Sequence, residues 1–321
     1  MSADARRRAW ALLSRAASGP SRPIQALITQ LGVEQAADAV VAGDVPVAVD
    51  RRVLERGSSF DAAARDLDRL HQLGGRLITP DDDEWPAYLL HMFRSTCDDP
   101  EFVAPVGLWA RGPVSLHVAT DRAIAVVGAR ASTEYGNHVA TEVARDLAAR
   151  GWAIVSGAAF GIDGVAHRAA LAADAATIAV LACGVDRAYP TAHARLLEQI
   201  AESGLILSEY PLGMAPSRDQ FLARNRLTVG LSDAVIAVEA GLRSGSINSV
   251  RWANRLHRPA FAMPGPVTSA ASAGCHRVIA DGRARLTTCA DDVIAALAAR
   301  PSWTDRSTVG AGPLTTERGI R

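Results

Sequence analysis

The sequence predicts a doubly wound α/β sheet preceded by a small helical domain. From Arg122 onward, short apolar runs bounded by Gly, Ser, Asp or Pro alternate with helix-length segments, the pattern of buried parallel strands joined by helices. The first 75 residues instead carry apolar side chains at helical spacing, such as Leu67, Leu70 and Leu73. With 321 residues, 49% of them apolar, the chain can bury one large core plus a smaller unit, and it is too apolar for a disordered protein.

Residues 1–75 read as short helices: an Arg-rich opening with Trp10, Leu12 and Leu13, then 24–31, a break at Gly32, 33–41, and 61–73 before Gly74-Gly75. Residues 76–121 read as an acidic connector, with Asp81, Asp82, Asp83 and Glu84 between Pro80 and Pro86, leading into the core through loops; such charge runs are usually solvated. The core spans 122–300. Its expected strands are 123–127, 153–155, 177–181, 205–207, 234–238 and 260–262, and its expected helices 135–150, 163–172, 192–203, 225–231 and 247–256. The 301–321 tail, rich in Ser, Thr, Gly and Pro, is expected to be disordered.

Composition narrows the function classes. No apolar run approaches the roughly 20 residues of a membrane span and no secretory h-region follows the N-terminal arginines, so a cytoplasmic protein is expected. Cys97, Cys183, Cys275 and Cys289 are scattered singly, without metal-ligand spacing; reduced thiols are expected, with no metal and no cofactor. The 34 basic residues balance 34 acidic ones, which by itself counts against a nucleic-acid partner. Their distribution is uneven: 76–110 has two arginines against seven acids, 215–285 ten arginines against four acids. The chain has no lysine. Arginine suits phosphate and base stacking, although a lysine-free, Ala- and Arg-rich composition also fits genomic base bias.

In a doubly wound sheet the ligand sits beyond the carboxyl ends of the strands, so the turns there carry the chemistry. The first, Gly128-Ala129-Arg130-Ala131-Ser132, lacks the dinucleotide fingerprint, because Arg130 stands where the second glycine must be. That arginine reads as an anion-binding fork, or as a surface residue at a helix cap. The second turn runs from Ser156-Gly157 to Gly161-Ile162-Asp163. Asp163 and His167, four apart, read as a helix cap and a packed or solvated histidine, since no nucleophile elbow exists in the chain to make them catalytic. Tyr189-Pro190 and Ser208-Glu209-Tyr210-Pro211 are rigid turns whose aromatic faces, with Phe160, suit either packing or base stacking. Arg218 and Arg224-Asn225-Arg226 form a basic block able to donate to phosphates. Arg243-Ser244-Gly245-Ser246 opens a helix in an anion-nest sequence; with no lysine to follow it, P-loop hydrolysis is excluded.

Taken in order, these turns, with Pro264-Gly265 and Gly274-Cys275, resemble the DNA-processing protein A (DprA) family over residues 76–290. The resemblance implies an extended Rossmann-like core, a SAM-like N-terminal helical domain, and a non-catalytic mediator. Such a mediator binds single-stranded DNA as a homodimer and loads RecA on it, displacing single-strand binding protein, in natural transformation or homologous recombination. Carried over, it makes Arg130 the turn arginine of the DNA pocket, with Gly128, Ser132, Ser156, Gly157 and Gly161 around it. Arg218, Arg224, Asn225 and Arg226 fall on or beside a second basic patch, with Arg243, Ser244, Gly245 and Ser246. Leu242, His276 and Leu286 fall near the dimer and RecA surfaces. The chain departs from the family at Thr191 and His193, where lysine and asparagine are common, leaving Arg195 to supply a phosphate contact. It also departs at Ile247-Asn248-Ser249 and in a tail too short for a winged-helix domain. A related sheet occurs in nucleoside-monophosphate phosphoribohydrolases, but Asn248 and Ser249 stand where their catalytic glutamate belongs, and an amide is no general base.

Overall fold

Local chemistry starts and stops the N-terminal helices. The computed structural model describes residues 3–45, 59–94, 99 and 101–299. Within them α1 is Ala3–Ala17, α2 Arg22–Leu31, α3 Val33–Ala42 and α4 Phe60–Gln72. Ser21 caps α2 and Ser59 caps α4 by accepting from the Ile24 and Ala62 amides, the usual relief for the unpaired donors of a first turn. The expected tail and Cys97 lie outside the described residues.

Among the described residues the sheet has nine strands: β1 Gly75–Ile78, β2 Leu108–Arg111, β3 Ala123–Val127, β4 Ala153–Ser156, β5 Thr177–Leu181, β6 Leu205–Ser208, β7 Ala234–Ala237, β8 Ala260–Ala262 and β9 Arg285–Leu286. Their order is β1-β2-β6-β5-β4-β3-β7-β8-β9, parallel from β6 to β9 and antiparallel at β1 and β2. The helices between the parallel strands are α5 Glu134–Ala149, α6 Ile162–Ala172, α7 Ala194–Ser203, α8 Arg218–Gly230, α9 Ser246–Arg255 and α10 Ala273–Ala280, and α11 Ala290–Ala298 follows β9. The expected core elements recur within a residue or two at most ends. The exception is α8, which starts seven residues before the expected 225 because Ser217 caps it at the Gln220 amide.

Side-chain alternation splits the core into layers. Ala123, Ala125 and Val127 of β3 face one side, where Leu227 of α8 and Trp252 of α9 pack; Ile124 and Val126 face the other, under α5, α6 and α11. On that second side, over β1, β2, β5 and β6, α1 to α4 together with α7 bury Trp109, Ala179, Leu181 and Ile206. The N-terminal helices therefore complete the sheet's own core. Trp109, fully buried, donates its indole N–H to Ser14 Oγ of α1 at 3.0 Å.

Residues 76–121 also differ from the expected solvated connector, since they supply β1 and β2 to the sheet. The acidic run is engaged: Asp81 accepts from Arg6 at 2.6 and 2.9 Å and from the Trp10 indole, Asp82 pairs with Arg7 at 2.8 Å, and Glu84 pairs with Arg76. Four-residue strands leave too little alternation to read from sequence, and the arginine partners lie up to 75 residues away.

Two outcomes are expected. Trp109→Ala should cost about 3–5 kcal/mol in urea unfolding, with the helices and the sheet still melting in one transition. The hydrogen bond from Arg6 holds the Asp81 carboxyl below its ordinary value against an opposing push from burial. Its stabilisation is thus complete above the usual Asp range, about 3.9, and is lost as pH falls through the lowered folded value. Asp81→Ala should lower stability at neutral pH and flatten the acid limb of a tryptophan-fluorescence titration.

Candidate nucleic-acid interface

The strand order reverses at β3: β4 lies on one side of it and β7 on the other. The turns leaving these strands diverge there and open a crevice of about 990 Å³, at the position where open α/β sheets bind ligands. Gly128, Arg130, Gly157, Arg218, Arg224, Asn225 and the 243–246 turn all line it. Ser132, Ser156, Gly161, Arg195 and Arg226 do not.

The β3 turn is tied to β7. Glu239, buried at the end of β7, accepts from the Thr133 amide and hydroxyl, each at 2.8 Å, while the Ala129 amide donates to the Glu239 carbonyl at 2.7 Å. Ser132 turns away to donate to Asn137 of α5. Arg130 projects outward with its guanidinium 4.9 Å from the centre of the Phe221 ring; Phe221 in turn lies 5.2 Å from Tyr189, which is exposed on the rim. A cation on an aromatic face beside a second ring offers a charged fork and stacking surface in one place.

The β4 turn is held from inside. The Ser156 hydroxyl, fully buried, donates to the Val126 carbonyl at 2.6 Å. Asp163 caps the turn rather than its own helix, accepting from the Gly157 and Ala159 amides at 3.2 and 3.4 Å, and Arg224 donates to the Gly157 carbonyl at 2.8 Å and to the Val180 carbonyl. The Gly157 residue is thus gripped at both its N–H and its C=O. Any Cβ there would strike the Arg224 guanidinium. Gly161, at φ +72°, lets this turn touch the Ala129 carbonyl of the neighbouring one. Burial pushes the Asp163 carboxyl up and Arg224 down, each opposed by the other's charge. His167 is a packed histidine: fully buried, bonded to Thr177 Oγ1 at 2.7 Å and pushed down to about 3 by burial, it stays neutral.

Several expected contacts belong to the interior. Arg226 is fully buried, paired with Glu209 and 5.4 Å from the Phe93 ring, so it reaches no external phosphate. Arg224 is 5% exposed and Tyr210 2% exposed, which leaves Tyr210 unable to stack a base. Helical phase explains the burial of Arg226: once α8 starts at Arg218, Arg218, Leu222 and Asn225 share one face and Ala223, Arg226 and Leu227 the other. Phe221 was missed as a site residue for the same reason, and its spacing from Arg218 is the pattern that could have revealed it. Arg195 is exposed on α7; Leu242 and Leu286, 66% and 54% exposed, and half-buried His276 lie outside the crevice, Leu286 on the edge strand β9.

Residues 76–298 match the family model described as DNA recombination-mediator protein A. The chain belongs to that family. The putative DNA processing protein DprA of Mycobacterium tuberculosis is 48% identical over 293 residues, which are 91% of this chain and 75% of that protein. Protein Smf of Escherichia coli is 40% identical, with 68% and 56% covered. Among solved structures of the family, DprA from Streptococcus pneumoniae superposes with a TM-score of 0.72 at 30% identity, over 88% of this chain and 95% of that one. DNA processing protein A from Helicobacter pylori, whose structure was described for its unique single-stranded DNA binding mode, superposes with a TM-score of 0.60 at 32% identity, over 70% and 95%. All of the crevice residues fall inside the span matched to the DprA family. Among the described residues no helix is long and apolar enough to cross a membrane.

Arg224→Met keeps the volume but removes the donors to two buried carbonyls, and should destabilise the chain by about 2–4 kcal/mol in denaturant unfolding.

Proposed function

We propose that this chain binds single-stranded DNA in the crevice at the carboxyl ends of β3, β4 and β7, and hands the strand to RecA as a recombination mediator. The observation that carries the reading is the exposed Arg130 guanidinium laid on Phe221 beside Tyr189, with Arg218 and Arg243 exposed around the same opening. Arginines hold backbone phosphates while the rings stack bases without selecting sequence. The described single-strand binding of the H. pylori relative supports the same ligand, and the family's role in recombination supports RecA as the recipient. Binding is favoured over catalysis because Asp163, the carboxylate in the lining among the described residues, is spent on loop amides, and Asn248 of α9 accepts from Asn225. Homodimerisation through a surface that includes Leu242, His276 and Leu286 belongs to the same proposal, motivated by the exposure of both leucines.

The test is a fluorescence titration with labelled oligo-dT and a matched duplex. The single strand should bind more tightly, and Arg130→Ala should weaken all sequences alike while lowering the salt slope by about 0.7 for one lost phosphate. Phe221→Ala should cost about 1–3 kcal/mol of binding. Adding RecA to the bound strand should give a ternary complex in a mobility shift. Equal affinity for the duplex, or an Arg130→Ala variant that binds as wild type, sinks the reading.

A further inference from the structure

We propose that the bound strand leaves the crevice along the exposed faces of α8 and α9, with Arg251 as the phosphate anchor of that exit. The proposal rests on the single-strand reading above and adds a binding segment to it.

Helix α9 carries Arg251 and Arg255 and no acidic residue. Its Ile247, Val250, Trp252 and Ala253 are buried, which leaves Asn248 and Arg251, three apart, on the outer face. That face is continuous with the crevice: the Asn225 amide of α8 donates to Asn248 Oδ1 at 3.3 Å and to the Gly245 carbonyl at 3.4 Å. The polar row that begins at Arg218 and Asn225 therefore runs across to α9. Arg251 lies five residues past Ser246, about 7.5 Å further along the helix axis, a nucleotide or two beyond the turn that lines the crevice. It is exposed and has no ion-pair partner among the described residues. Arg255, by contrast, is held by Asp99 at 2.8 Å and lies over the Trp252 ring. A strand leaving over α5 instead meets Glu134 in the first turn, then Glu142 and Asp146 around Arg145. The α5 side sets these three acids against Arg145 and Arg150, whereas the outer faces of α8 and α9 offer Arg218 and Arg251 against Asp219 alone, so phosphates are drawn more strongly to this side.

Length dependence tests the exit separately from the crevice. Fluorescence anisotropy is measured with oligo-dT of about six and about twenty nucleotides, for wild type, Arg130→Ala and Arg251→Ala, after thermal melts establish that both variants fold. Arg251→Ala should weaken the long oligonucleotide three- to tenfold, lower its salt slope by about 0.7, and leave the short one within twofold. Arg130→Ala should weaken both. An Arg251→Ala loss that is equal for both lengths, or absent from both, overturns the exit while leaving the crevice intact. If wild type binds neither oligonucleotide, the crevice reading fails and the exit fails with it.

Discussion

The crevice depends on one interaction: the two-sided grip on Gly157 by Asp163 and Arg224. A turn that presents its outer face to a ligand cannot be propped from outside, so its backbone must be held from beneath. Asp163 takes two of its amides and Arg224 takes its carbonyl together with that of Val180, one strand over. Both charges are buried, and each offsets part of the desolvation of the other. The grip fixes the β4 turn, Gly161 carries that turn against Ala129, and Arg130 is set beside Phe221 as a consequence. Glu239 does the same service from β7 by holding Thr133.

This arrangement divides the arginines of the crevice and its surroundings into two populations. Arg224 and Arg226 sit in the interior and answer to Asp163, Glu209 and backbone carbonyls. Arg130, Arg218, Arg243 and Arg251 face outward. A segment with ten arginines against four acids thus overstates the charge offered to a ligand, because two of the ten are internal fasteners.

Much of this was legible in the sequence. The parallel core is readable because its strands are buried on both faces and so appear as unbroken apolar runs, such as Ala123–Val127. The strand-end turns follow from that reading, and with them most residues around the crevice. What escaped depends on long-range pairing or on helical phase. The turn of Asp81 to Glu84 looks solvated until Arg6 and Arg7 arrive from the other end of the N-terminal unit. Arg226 looks like a phosphate ligand until the start of α8 is fixed by Ser217, which turns it inward and brings Phe221 to the crevice.

The absence of lysine bears on how such a crevice can work. A lysine ammonium is a compact, strongly hydrated point charge, whereas a guanidinium is planar and more weakly hydrated, so it can lie on a ring and still direct donors to a phosphate. Arg130 does the first of these on Phe221 while remaining exposed for the second. Arg224 uses the same group in the interior, where its Nη1 donates to the carbonyls of both Gly157 and Val180 and so ties the β4 turn to β5. Whatever base composition placed arginine at every basic position, the fold uses the guanidinium twice, once to hold the β4 turn from within and once laid on the Phe221 ring at the crevice.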